Sequence, residues 1–398
     1  MLRKVLGVLE CGELIIDLPG GRSLILRGLR PDSQARLALH SWRTCARLLA
    51  DWDIGFTEGY MAEEWSSPNL ISLLRLVCRN RGMADRLLPF RIPRLGLRFR
   101  HALNRNTRRG SRRNIAAHYD LGNEFYKNWL DASMTYSAGL FSDERQSLED
   151  AQKAKLDRVL DLLELRDGDS VLEIGCGWGS LAERLLATRA RNVTGVTLSM
   201  EQLEYARQRL DNAVASGRCD LRLQDYRDLN GTFDRIVSIE MLEAVGEAYW
   251  SNYFAKLRDR LRPGGIAVLQ VITIDESRFE NYRRQPDFIQ KYIFPGGMLP
   301  TKRIIEREIT QAGLRLVAQQ FFGNSYAQTL GQWNARFRDA WPEIKRLGFD
   351  ERFKRMWEYY LAYCQVGFEV QVLDVGLYKI TDLDFGGKSR SRLTLASR

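Results

Sequence analysis

The sequence predicts an α/β protein: a doubly wound, mostly parallel sheet of seven strands, preceded by a small α+β N-terminal domain. Three observations predict it. Residues Ser170 to Ser180 read Ser-Val-Leu-Glu-Ile-Gly-Cys-Gly-Trp-Gly-Ser, an apolar strand that turns through three glycines into a helix. Downstream, short apolar runs alternate with segments of helical periodicity, the pattern of strand–helix–strand units. Finally, 44% apolar and 28% charged residues among 398 describe a soluble globular chain with room for roughly two or three domains.

In chain order, Leu14-Ile15-Ile16 and Leu24-Ile25-Leu26 flank the turn Pro19-Gly20-Gly21 and predict a hairpin. Ser33 is placed to cap a helix running to about Asp51, with Leu37, Leu39, Trp42, Ala46 and Leu49 as its apolar face. Two further helices are expected around Glu58–Trp65 and Asn69–Asn80. Together these make an accessory domain over residues 1–90 with no visible catalytic group. Residues 91–113 then carry nine arginines from Arg91 to Arg113 and no acid, within a net charge of +10. Such a run meets a polyanion, nucleic acid or an anionic lipid surface. The plain alternative is a solvated linker.

The main domain spans 114–385. A helix over Asp150–Leu163 leads into the strand of the glycine motif, and further strands are expected at Asn192–Thr197, Leu221–Asp225, Arg235–Ile239 and Ile266–Val271. Helices at about 200–216 and 247–260 separate them, and Pro263-Gly264-Gly265 turns the chain into the fifth strand. Leu314–Phe321 and Val375–Ile380 complete the strands and frame a helical insertion at about 325–370. There Trp333, Phe337, Trp341, Phe353, Trp357, Tyr360 and Phe368 recur at near-helical spacing, as core or as the lining for a long apolar substrate. Residues 386–398 read as a loose basic tail.

Composition narrows the classes. No apolar run approaches the roughly 20 residues of a membrane span. The stretch Met1–Leu9 is too short for a secretory core, and Glu10 interrupts it. Six cysteines without a Cys-x-x-Cys read as reduced cytoplasmic thiols. Three histidines without ligand spacing predict no metal site.

The glycine turn is a cradle for a nucleotide-like ligand, because a backbone without Cβ lets the ligand come close. Glu173, an acid inside the strand before Gly175 and Gly177, suits a ligand carrying positive charge better than a pyrophosphate. A dinucleotide fold would place an acid about 20 residues beyond the turn. Here the second strand ends Val196-Thr197-Leu198-Ser199 with none. Asp225 and Tyr226 are positioned to hydrogen-bond and stack on an adenine, and Gln202 to reach ribose hydroxyls, although Asp225 alone also reads as a turn cap. Together these residues point to S-adenosylmethionine.

Several stretches carry a wider likeness: His118-Tyr119-Asp120-Leu121-Gly122-Asn123, Val171 to Gly179, Gly195 to Ser199, Gln224 to Leu229, Phe233 to Ile239 and Lys291 to Gly297. Through them the chain resembles the cyclopropane-fatty-acyl-phospholipid synthases and the mycolic-acid methyltransferases over about residues 114–380. The resemblance implies a Rossmann-like methyltransferase fold, S-adenosylmethionine as cofactor and a cis double bond of a phospholipid acyl chain as acceptor. By position it assigns Tyr136, Ser137, Gly175, Thr197, Leu198, Gln202 and Tyr226 to the cofactor. It also favours the membrane over nucleic acid for the arginine run, and so a cytoplasmic protein peripheral to the inner membrane face, with homo-oligomers possible.

The resemblance also marks a departure. Ring-forming members hold a bicarbonate ion through a cysteine, a glutamate, two histidines, an isoleucine backbone and a tyrosine. Here those positions are Ala138, Glu243, Ala244, Gln270, Ile272 and Tyr326, and Glu240 is an added carboxylate where glycine is usual. This weakens the case for bicarbonate without excluding it, since glutamine still donates a hydrogen bond. The candidate catalytic residues are therefore Glu243, Glu240, Tyr326, Gln270 and, from the stretch Lys291 to Gly297, Tyr292. The expected reaction is methyl transfer to the double bond through a carbocation, giving a branched or methylene-bearing chain. Cyclopropane formation is the alternative, followed by a nucleic-acid methyltransferase or an inactive cofactor-binding scaffold. Glu240 acting as base is weighed against Glu240 only binding the cofactor or a helix end.

Overall fold

A computed structural model describes residues 9–80, 107–108, 110–111, 114–115 and 121–382. Apart from Arg108, which pairs with Asp228 at 2.7 Å, the arginines of the 91–113 run lie outside these residues. So do His118-Tyr119-Asp120 and the expected basic tail.

The N-terminal part is a four-stranded sheet with three helices. Strands β1 (Cys11–Asp17), β2 (Ser23–Arg27) and β3 (Arg30–Leu39) are followed by α1 (Arg43–Ala50), α2 (Trp52–Met61), β4 (Trp65–Ser66) and α3 (Leu70–Arg79), with strand order β2-β1-β3-β4. The hairpin β1–β2 forms as expected. The helix expected from Ser33 does not: that segment is β3, parallel to β1. Its Ala35, Leu37 and Leu39 alternate with the exposed Gln34 and Arg36, a period of two that β1 satisfies by pairing. The helix begins only at Arg43. The next two helices start with side-chain caps, Asp51 accepting from the Ile54 N–H and Asn69 from the Ser72 N–H.

The remainder is the doubly wound sheet. After α4 (Leu148–Leu163) the chain runs β5 (Ser170–Ile174), α5 (Ser180–Leu186), β6 (Asn192–Thr197), α6 (Met200–Arg209), β7 (Cys219–Leu223), β8 (Phe233–Ile239), α7 (Trp250–Arg260) and β9 (Leu261–Ile274). It continues through α8 (Glu276–Arg284), α9 (Lys302–Gln311), β10 (Leu314–Phe321), α10 (Gly323–Asp339), α11 (Glu351–Glu369) and β11 (Leu373–Asp382). The strand order is β10-β11-β9-β8-β5-β6-β7, and β11 runs antiparallel to both of its neighbours. Neighbouring strand residues divide between two cores. Val171, Val237 and Val268 pack with Leu156, Val159 and Leu163 of α4, while Leu172, Ile236 and Ala267 pack with Phe254 and Leu257 of α7 and Ile305 and Ile309 of α9. Both faces are covered, which is why these strands read as continuous apolar runs rather than alternating ones. Among the described residues no helix is long and apolar enough to cross a membrane.

Candidate active site

The site lies where parallel strands release their chains into loops, the usual place for a ligand in an open α/β sheet. β5 runs into Gly175, Gly177 and Gly179, all at positive φ. Two of these glycines have distinct reasons. At Gly177, φ is +51° and nothing stands within 4 Å of where a Cβ would be, so the backbone borders open space. At Gly179 a Cβ would meet Ala206 Cβ at 3.1 Å, so glycine allows α5 to approach α6.

The glycine turn opens on a cavity of about 480 Å³. Tyr136, Ser137, Glu173, Gly175, Gly177, Thr197, Leu198, Gln202 and Tyr226, residues the sequence offers for a cofactor, all line it. Thr197 Oγ1 donates to Gln202 Oε1 at 2.9 Å, which fixes the Gln202 side chain at the cavity wall. Glu173 is buried, and its Oε2 has no hydrogen-bond partner among the described residues. Burial pushes its carboxyl up to about 8, with Lys155 pulling the other way. A buried, unpartnered carboxylate beside a glycine cradle fits a ligand with a cationic end, and the set as a whole fits S-adenosylmethionine. Asp225 sits elsewhere. β7 ends at Leu223, and the Asp225 carboxylate caps the next turn through the Arg227 N–H and pairs with the Arg227 guanidinium at 2.6 Å. Its bland reading, a turn cap, describes it.

Beyond the cofactor end, the predicted catalytic residues converge, with one exception. Glu240 follows β8 and is held by three donors: the Ala138 N–H at 2.9 Å, the Gln270 amide at 2.7 Å and the Tyr326 hydroxyl at 2.7 Å. Its backbone φ is +49°, a left-handed conformation that costs a non-glycine residue roughly 1–3 kcal/mol and concentrates at functional sites. Burial raises its carboxyl above the ordinary range, while the three donors oppose the rise. Glu243 accepts from the Ile272 N–H at 2.5 Å, and its Oε2 has no partner among the described residues. Burial, then the nearby Glu240 charge, pushes Glu243 up to about 8. Tyr136 and Tyr360 share a hydrogen bond at 2.8 Å, and Tyr326 packs on Phe368 with ring centroids 4.5 Å apart.

The exception is Tyr292. It lies in a single π-helical turn, Ile289–Ile293, whose Ile289 and Gln290, with the flanking Phe288 and Phe294, border the cavity. The turn sends Tyr292 the other way, where its hydroxyl donates to Glu58 on α2 at 2.6 Å. It is therefore a contact between the N-terminal part and the sheet, not part of the catalytic centre. The aromatic stripe also divides. Trp333, Phe337 and Trp357 are packed core, whereas Tyr360 and Phe368 face the cavity.

Two contributions escaped sequence reasoning. Lys155 is fully buried at the cavity wall, although its place on the α4 face marked by Ala151 and Val159 was a readable signal. The N-terminal part also supplies cavity wall, through Trp52, Phe56, Leu74 and Val77. No local pattern announces that, because it depends on how α2 and α3 dock on α11.

Residues 106–377 match the family described as mycolic acid cyclopropane synthetase. The chain belongs to that family. A tuberculostearic acid methyltransferase, UfaA1 of Mycobacterium tuberculosis, is 44% identical over 333 residues, covering 81% of this chain and 77% of the relative. The cyclopropane-fatty-acyl-phospholipid synthase of Escherichia coli is 36% identical and covers 84% of each. Among solved structures, the mycolic acid cyclopropane synthase CmaA1 complexed with SAH and CTAB is 28% identical with a TM-score of 0.63, covering 68% of this chain and 97% of that one. As a member of the mycolic acid cyclopropane synthetase family, the protein is an S-adenosylmethionine-dependent methyltransferase of lipid modification.

Proposed function

We propose that this enzyme methylates the cis double bond of an unsaturated acyl chain in a membrane phospholipid and that Glu240 removes the final proton, giving a branched or methylene-bearing chain rather than a ring. S-adenosylmethionine supplies the methyl group as a sulfonium electrophile. An alkene is a poor nucleophile, so the enzyme's task is alignment in a water-poor cavity. The alkene's electron pair forms the new carbon–carbon bond as the sulfur–methyl bond breaks, leaving a cation on the adjoining carbon. Tyr326, Tyr360 and Phe368 line the cavity where that cation would lie, and buried aromatic faces stabilise a cation by about 2 kcal/mol or more. The Glu240 carboxylate adds charge compensation and then accepts the proton. Loss from a neighbouring carbon leaves an alkene, whereas loss from the new methyl closes a ring.

One observation carries the reading. Three donors that would suit a small bound anion, on Ala138, Gln270 and Tyr326, are occupied by the enzyme's own carboxylate. The likeness to a relative named as a methyltransferase supports it. Docking on an anionic membrane surface through residues 91–113 belongs to the same proposal and is supported by their charge.

Mass spectrometry of phospholipid acyl chains from a host expressing the protein tests it. The expected products gain one methylene unit and keep an unsaturation that hydrogenation removes. A product of the same mass that resists mild hydrogenation is a cyclopropane and rejects the proposal. Glu240→Gly, which relieves the left-handed backbone and opens the three donors, is expected to be nearly inactive in bicarbonate-free buffer. Added bicarbonate or formate should then restore turnover.

A further inference from the structure

Two buried ionisable side chains, a lysine and a glutamate, border the cofactor end of the cavity, and neither has its full set of partners among the described residues. Lys155 is 1% exposed, and its ammonium donates to one acceptor, Ser137 Oγ, at 2.8 Å. An ammonium carries three N–H donors, so two are left without an acceptor among the described residues. Glu173 is 3% exposed, with Oε2 unpartnered among the described residues. The two side chains feel each other's charge, yet no ion pair joins them among the described residues.

The other acids that act on Lys155 are already engaged. Asp131 accepts from the Ser133 and Thr135 N–H groups, and Glu240 holds its three donors. Ser137 is fixed to α4 twice, by Lys155 through its hydroxyl and by the Gln152 amide, which donates to its carbonyl at 2.7 Å. The result is a buried recess with unfilled lysine donors and an unfilled carboxyl oxygen on one cavity. Buried polar groups left this way are costly, and a ligand that supplies both missing partners, its cation holding Glu173 ionised, relieves them together. A ligand with both charges a bond or two apart is an α-amino-acid zwitterion.

We infer that Lys155, together with the Ser137 hydroxyl, binds the α-carboxylate of the methyl donor's amino-acid end, while Glu173 binds its α-ammonium. This rests on S-adenosylmethionine being the cofactor and adds Lys155 to its binding residues. It explains why a lysine is kept on the buried face of α4, where an apolar residue would pack without penalty.

Calorimetry on the full-length protein with three probes tests it: S-adenosylhomocysteine, its decarboxylated analogue and 5′-methylthioadenosine. The wild-type protein should bind S-adenosylhomocysteine roughly ten- to a hundredfold tighter than the decarboxylated analogue, the scale of one or two charge-assisted hydrogen bonds. Lys155→Met should abolish that preference while leaving 5′-methylthioadenosine affinity unchanged, which also shows that the variant is folded. Equal weakening of all three probes by Lys155→Met would overturn the assignment. So would a wild-type protein indifferent to the carboxylate, a result that stands even if the variant fails to fold. A wild-type protein that binds no S-adenosylhomocysteine at all overturns the cofactor reading, and this inference with it.

Discussion

Glu240 and Glu243 show how the same residue type takes two states a few positions apart. Glu240 has three donors on its carboxylate, whereas Glu243 has the Ile272 N–H alone among the described residues. Glu243, pushed up to about 8 by burial and by the Glu240 charge, therefore carries the proton at neutral pH. The consequence for stability follows from proton counting. In the unfolded chain a glutamate ionises near its ordinary value of about 4.3. Between about 4.5 and 8 the native state holds a proton that the unfolded state has lost, so stability falls as pH rises through this window. Glu243→Gln removes that dependence. Denaturant titrations from pH 5 to 8 should show the variant gaining on the wild type as pH rises, by an amount on the order of a few kcal/mol. Parallel curves would mean that Glu243 is ionised throughout. Both carboxylates were legible in the sequence as chemistry-bearing residues. Their roles were not, since the donors that tell them apart come from the Ala138 backbone and from Tyr326 on α10, joined only by tertiary folding.

Regular elements were legible where one local pattern was sufficient to define them. The β5 glycine turn, the β1–β2 hairpin and the strands β10 and β11 fall where apolar runs and turn residues placed them. The Ser33 segment failed because apolar residues at 35, 37 and 39 serve a strand while 39, 42, 46 and 49 serve a helix, and Leu39 belongs to both patterns. The π-turn over Ile289–Ile293 is a different case, because an extra residue per turn leaves no signature in composition. It delivers Lys291 and Tyr292 to Glu58, which also pairs with Arg47 at 3.0 Å. Burial alone would raise the Glu58 carboxyl, but hydrogen bonds from Lys291 and Tyr292 hold it below the usual range. Glu58→Ala leaves the half-buried Lys291 ammonium without this partner, at a cost of about 1–3 kcal/mol. The expected outcome is a melting midpoint lower by a few degrees with S-adenosylhomocysteine affinity unchanged. An unchanged midpoint would show that the cluster does not fasten α2 to the sheet.

For the whole molecule, the consequential feature is that the cavity is not a property of the doubly wound sheet alone. Its glycine-turn end belongs to β5, β6 and their turns, the part around Glu240 and Glu243 to β8, β9 and α10, and part of its wall to α2 and α3. Sequence reasoning assigned the N-terminal residues an accessory role because they hold no catalytic group. Walls need none: an acyl chain is recognised by apolar area and shape, which any segment can supply once docked. Phe56 separates the two roles, since it borders the cavity while stacking on Trp65 at 4.2 Å. Phe56→Ala removes aromatic area from the wall without touching Glu240 or the glycine turn. Losing contact with an apolar side chain costs about 1.5–3 kcal/mol, or roughly ten- to a hundredfold in substrate affinity. The variant should therefore show a raised KM for unsaturated phospholipid in vesicles and unchanged S-adenosylhomocysteine affinity by calorimetry. Its preference should also shift toward longer or bulkier acyl chains in mixed-lipid competition, because the vacated volume accepts them. If KM and chain preference both match the wild type, the acyl chain does not reach α2, and the N-terminal wall borders empty space rather than substrate.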